Sequence, residues 1–345
     1  MNATSNILLV TLVGGLLAAP ALAQSSAPPE IRFDSVPNAL QLPAGLYLGE
    51  VAGVATNSKG DTFVYTRTGH PTVTIGTMRP FAHGGSRMFQ FDRMGKYVRE
   101  IGKDTYGFMA AAQVRIDPAD NIWAVDEMSN MEMKFDPEGR VAMLLGRKAE
   151  SEFIPPRAPG GDGAGQPTDL FNRPTDVAWD AAGNIFVADG AGNARIAKFD
   201  KEGRFVKSWG KRGTGPGEFS NVLSLAVDAQ GNVYAGDGVN QRIQVFDNNG
   251  VFKTAFSNFV NAQAMCITKG ANPVLYVSNS NPWNDIDVAG EIYKMHLDGT
   301  VIGKFGRAGR LLKEFGAVNS IDCRSENTLF VGELANLRVQ KLVLH

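Results

Sequence analysis

The chain has little of what most functional signatures need: two cysteines and four histidines in 345 residues. It also lacks a charge excess, with 34 basic against 35 acidic residues, which argues against the electrostatic footprint of a nucleic-acid binder. Beyond the N-terminus no apolar run reaches the ~18 residues a membrane-spanning helix requires. Helical periodicity sustained over about 12 residues is missing too, which excludes helix-pair solenoids. What remains is an ordinary globular composition, 43% apolar, in short alternating runs cut by Gly, Asn and Asp.

The N-terminus is the exception to that pattern. An apolar run over residues 7–17 leads to the small-residue site Ala21-Leu22-Ala23 before Gln24. Though its leading residues carry no Lys or Arg, this reads as a secretory signal peptide over residues 1–23. It predicts export to the periplasm or the extracellular space. No cysteine follows the cleavage site to carry a lipid.

The rest of the chain repeats. FNRPTDVAWDAAGNIFVADGAGNARIAKFDKEGRFVKSWG, residues 171–210, recurs in looser form, marked by Phe91-Asp92, Phe135-Asp136, Phe199-Asp200 and Phe246-Asp247. A period of about 45 residues with four short strands per unit predicts propeller blades. The expected fold is therefore all-β, a six-bladed β-propeller, with blades near 46–103, 106–148, 170–213, 218–259, 260–309 and 313–344. Residues 24–45 form an N-terminal segment and 46–345 a single propeller domain. The last blade lacks a fourth strand, and residues 31–42 are the natural donor; that strand would close the ring and remove an open edge.

First and third turns of each blade are minimal Asp/Asn-to-Gly hairpins, such as Asp180 to Asn184 and Asp200 to Gly203. Three longer excursions, 68–87, 150–168 and 280–290, all fall on the opposite face. Loops gathered on a rigid scaffold carry recognition, so that face is the candidate binding face.

Asp126, Asp189, Asp237 and Glu333 share one blade position, followed in three blades by Arg195, Arg242 and Arg338. Chemistry needs a single site, whereas a structural contact is needed in every blade. These residues are therefore expected to form blade-to-blade ion pairs. Cys266 and Cys323 fall on the innermost strands of neighbouring blades. They read either as two buried thiols or, in an oxidising compartment, as a disulfide, the Cα separation deciding between them.

The unit Pro-x-Asp-Val-Ala, Gly-Asn-Ile-Phe-Val-Ala-Asp-Gly, Asn-x-Arg-Ile resembles the NHL-repeat six-bladed propellers over residues 46–344. Within that group the order of features is similar to the peptidyl-hydroxyglycine amidating lyases. The matching features are Glu50-Val-Ala-Gly-Val-Ala, Arg67 with His70, Arg173-Pro-Thr-Asp176-Val-Ala and Val187-Ala-Asp-Gly190. The resemblance implies a lyase that cleaves a carbinolamide with an arginine and a tyrosine beside a zinc on three histidines, with a structural calcium on the axis. Arg67 matches the arginine and His70 keeps its neighbour. Ala191 stands for the tyrosine; Ala112, Leu223 and Asn319 stand for the three zinc histidines, and Ser320 for a carboxylate of the calcium site. Zinc takes Cys, His or carboxylate ligands, so no zinc lyase activity is expected.

Two functions are expected from these residues. The first is an exported, monomeric binding propeller whose loop-rich face takes a small polar molecule or a protein partner through Arg79, His83, Glu127, Trp283 and Asn319, with Arg67 forking to an anion. It needs no cofactor. The alternative is an enzyme of altered chemistry on the same face, a lyase or a lactonase-like hydrolase. In it Arg67 would stabilise developing negative charge and His70 or Asp176 would move protons. A divalent cation on Glu50, Asn279, Asn319 or Asp176 belongs to that alternative.

Overall fold

A computed structural model describes residues 1, 27–68, 73–75, 79–81, 85–146, 170–257, 261–282 and 285–345. They form six four-stranded antiparallel sheets in a ring, as the repeat predicts. The innermost strands are Glu50–Thr56, Ala111–Ile116, Asp176–Trp179, Val222–Val227, Met265–Ile267 and Val318–Ser325. Five blades come from continuous chain. The sixth is completed by Phe33–Val36, paired antiparallel with Arg338–Leu344 in the register Phe33 to Leu344 and Val36 to Lys341. The ring is thus closed by hydrogen bonds between the two ends of the chain.

The Phe-Asp markers divide their labour. Phe91, Phe135, Phe199 and Phe246 are buried, while the following aspartates hold the turn: Asp200 Oδ1 accepts the amides of Glu202 and Arg204 at 3.1 and 2.9 Å. Gly203 closes that turn at a φ of 82°, a conformation that favours glycine. Six hydrophobic clusters lie between successive blades. No blade buries its faces alone, so the whole ring folds as one unit.

Three details go beyond or correct the sequence reading. The excursion after Arg67 carries a hairpin of its own, Val73–Ile75 with Arg79–Phe81. Cys266 and Cys323 form a disulfide between blades five and six, with Cα atoms 5.9 Å apart. The repeated ion pairs are within blades, not between them: Arg195 to Asp189, Arg242 to Asp237 and Arg338 to Glu333, at 2.8, 2.9 and 2.7 Å. Each carboxylate also accepts an amide from the link that enters its own blade, Asn172, Ser220 and Gly316 respectively. Arg242 adds bonds to the carbonyls of Thr214, Gly215 and Glu218. The pair clamps the incoming link, and the reason is geometric: the two residues are cross-strand neighbours on strands two and three of one sheet.

Candidate functional site

The loop-bearing face over blades one to three carries a chain of alternating charges. Glu50 opens the inner strand of blade one and Arg67 ends the next strand, directly opposite it. Arg67 leans across to blade two, where its Nε donates to the carbonyl of Ala111 at 2.7 Å. Its terminal nitrogens lie 3.4 Å from Glu50 and 3.5 Å from Glu127. Glu127 follows the second strand of blade two and is gripped on its other side by Arg173 of blade three, through Nε at 2.6 Å and through Nη2. Arg173 itself sits at a φ of 63°, with its amide donating to Asn130 Oδ1 at 2.8 Å. The side chains of Glu50, Arg67 and Arg173 are 50%, 31% and 48% exposed. The cluster is open to solvent, where individual ion pairs contribute little and exchange readily.

The axis beneath is built differently. Asp176 begins the inner strand of blade three and is fully buried. Arg115 of blade two reaches it with Nε and Nη2 at 2.9 and 2.7 Å, and Asp176 also accepts the amide of Leu225 in blade four at 2.9 Å. The same guanidinium donates to Met265 O in blade five and Ile321 O in blade six, at 3.3 and 3.4 Å. Arg115 therefore crosses the shaft. Nearer the loop-bearing end, Asn319 donates through Nδ2 to Ala52 O and Ala112 O at 2.6 and 3.0 Å, and its Oδ1 accepts from Gln263. These side chains plug the centre with a closed hydrogen-bond network.

Of the residues singled out from sequence, Arg67 and Glu127 meet on the rim. Asp176 and Asn319 lie on the axis with their polar atoms engaged. Arg79 is part of the small hairpin. His70, His83 and Trp283 lie outside the described residues. Sequence reasoning missed Arg115 as the partner of Asp176. The signal was there, since Arg115 stands where blades one, three and four carry Ala55, Ala178 and Ala226.

A second missed residue is Glu132, where blades three and four have Ile196 and Ile243. It is fully buried, and among the described residues neither carboxylate oxygen has a hydrogen-bond partner. Burial pushes its pKa well above the ordinary carboxylate range, and repulsion from Asp176, Asp189 and Asp126 adds to this.

The positions that the resemblance assigns to zinc and calcium do not fit a metal. Ala112 and Leu223 offer only hydrocarbon. Asn319 turns its nitrogen to two carbonyls and its oxygen to Gln263, and Ser320 Oγ bonds Gln113 and the backbone of Val54. Among the described residues no group of three or more His, Cys, Asp or Glu is placed to hold an ion.

This fold agrees with comparisons to known proteins. A family model described as a 6-bladed beta-propeller matches residues 169–280. Mouse peptidyl-glycine alpha-amidating monooxygenase is 27% identical over 92% of this chain and 33% of its own length. Peptidyl-alpha-hydroxyglycine alpha-amidating lyase 1 of Drosophila melanogaster is 28% identical over 72% of this chain and 47% of its own. The chain is a six-bladed β-propeller with homology to the amidating lyases. This propeller spans about a third to a half of those relatives' lengths. Among solved structures, a streptogramin B lyase superposes with a TM-score of 0.57 at 13% identity, covering 91% of this chain and 98% of its own. A gluconolactonase from Xanthomonas campestris also gives 0.57, at 14% identity, covering 95% and 99%. At those identities the likeness is one of fold.

Proposed function

We propose that this chain is an exported, monomeric propeller that binds a small polar anion on its loop-bearing face, with Arg67 as the anchor. The observation that carries this reading is how Arg67 is held. Its Nε is fixed to Ala111 O at 2.7 Å, while its outer nitrogens rest on long contacts of 3.4 and 3.5 Å to Glu50 and Glu127. A ligand carboxylate can replace those contacts with a bidentate fork, which is stronger and better directed. Glu127 then remains with Arg173, so no buried charge is stranded. The N-terminal apolar run and small-residue site support export. His83, Trp283 and Arg79 remain candidates for the rest of the contact surface, while the bonds of Asn319 to Ala52, Ala112 and Gln263 favour a framework role for it.

The homology favours one alternative, an enzyme acting on a related substrate. There Arg67 would stabilise developing negative charge and His70 would handle the proton. The second proton candidate, Asp176, has both oxygens held by Arg115, which supports a framework role instead.

Titration calorimetry with a peptidyl-α-hydroxyglycine, followed by product analysis, tests both readings. Saturable binding that weakens about tenfold or more in Arg67→Ala, without amide formation, fits the binding propeller. Amide formation lost in Arg67→Ala would establish the enzyme. Binding unchanged in Arg67→Ala would overturn the anchor.

A further inference from the structure

We infer that a second anion site, on the opposite face from Arg67, lies in the seam where the two ends of the chain close the ring. The cleft there has a volume of about 230 Å³. Its walls are the closing segment 36–39, Thr62 and the turn Arg93-Met94-Gly95 of blade one, and Phe330 with Lys341 of the last blade. Arg93 and Lys341 both line it, and no Asp or Glu does.

The other blades show what is missing. Lys134, Lys198, Lys294 and Lys341 repeat one motif, an ammonium 5.4, 5.3, 5.8 and 5.6 Å from the ring of Trp123, Phe186, Tyr276 and Phe330 respectively. In three of the four the ammonium also meets an oxygen: Asp117 at 3.7 Å, Asn248 O at 3.1 Å and Glu326 at 2.9 Å. Asn248 belongs to the third turn of the following blade, immediately after Asp247. At the seam the following blade is blade one, and the residue after Asp92 in that turn is Arg93. A second cation therefore stands where Lys198 has its acceptor, whereas Lys134 and Lys294 take their acceptors, Asp117 and Glu326, from first turns. Neither the Arg93 guanidinium nor the Lys341 ammonium has a hydrogen bond or ion pair among the described residues. The next turn position, Glu138 and Glu202 in blades two and three, is Met94 here, and the acid of this turn, Asp92, directs Oδ1 to the amides of Met94 and Lys96.

Two cations lining one cleft, with Val36, Met94 and Phe330 as its apolar wall and Asn38 and Thr62 as polar lining, fit an anion with a hydrophobic body. The chemical class is a small organic acid whose carboxylate lies between Arg93 and Lys341 and whose apolar part lies against Met94 and Phe330. The volume holds about eight non-hydrogen atoms, at roughly 30 Å³ each. Because the cleft joins the closing strand, the last blade and the first, a ligand there ties the seam and raises the melting temperature by linkage.

Benzoate is the probe, with neutral benzamide and inorganic sulfate as controls at constant ionic strength. The assays are calorimetry and thermal melting of the mature protein. In an Arg67→Ala background, which removes the first anion anchor, expected are saturable benzoate binding with a raised melting temperature, and about tenfold weaker binding once Arg93→Met and Lys341→Met are added. Arg93→Met alone, at an exposed turn, serves as the variant that leaves packing intact and weakens binding in part. Benzoate binding retained with both substitutions added, benzamide or sulfate binding equally well, or no saturation by any probe would each overturn the site.

Discussion

The rim over blades one to three and the axis beneath it use the same residue types in opposite physical states. On the rim, Arg67 and Arg173 share Glu127 with much of their surface in water. On the axis, Arg115 and Asp176 share the same pairing chemistry with Asp176 fully buried and five blades drawn into one network. The comparison teaches that an ion pair is a device for stability or for recognition according to what would replace it. A ligand can take over the contacts of Arg67. Nothing in the closed shaft can take over those of Arg115, so removing one partner leaves an uncompensated charge.

The strongest way to break that contrast is Asp176→Ala. It strands Arg115 and is expected to cost about 3–5 kcal/mol in a denaturant titration. A loss below about 1 kcal/mol would mean that water already reaches the shaft. Next in size is the covalent tie between blades five and six. Cys266→Ser with Cys323→Ser closes off the disulfide's contribution and should lower stability by about 2–4 kcal/mol, read against the wild type under reducing and oxidising conditions.

Glu132 sharpens the comparison in the other direction, because it is a buried acid with no hydrogen-bond partner among the described residues. Glu132→Leu is expected to stabilise the protein at pH 8 by about 1–3 kcal/mol in chemical denaturation. The sign follows from its raised pKa: folding takes up a proton, so the wild type keeps its full stability below the ordinary carboxylate range and loses it as pH climbs toward the raised value. The variant should lose that pH dependence; an unchanged slope would show that Glu132 has found a partner. The smallest stability effect belongs to the rim, where Arg67→Ala should cost about 0–1 kcal/mol while weakening ligand binding. A large loss of stability there would move Arg67 to the framework.

Much of the architecture was legible because its signals are local. Phe-Asp followed by Gly, the Asp-to-Asn first turns and the alternating runs each describe a few consecutive residues, and their recurrence counts the blades. Even ring closure could be read from the missing fourth strand of the last blade. The clamp residues show the limit. Their recurrence correctly marked Asp189 and Arg195 as structural, yet whether they paired within a blade or across two depended on which strand ends lie together. The site was less legible still. Arg67 and Glu127 are 60 residues apart, and only the packing of blade one on blade two brings them within 3.5 Å.

By itself, then, the sequence determined the repeat, the turn chemistry, the count of blades and the strand borrowed from the N-terminus, because these depend on spacing along the chain. The tertiary structure alone decided which polar groups meet, and with whom: Arg115 on Asp176, Asn319 on two backbone carbonyls, Cys266 on Cys323, Glu132 on no hydrogen-bond partner among the described residues, and Lys341 lining one cleft with Arg93. The physical reason is that strand alternation says which way a side chain points. What it meets there comes from another blade, and that partner is chosen by the closure of the ring.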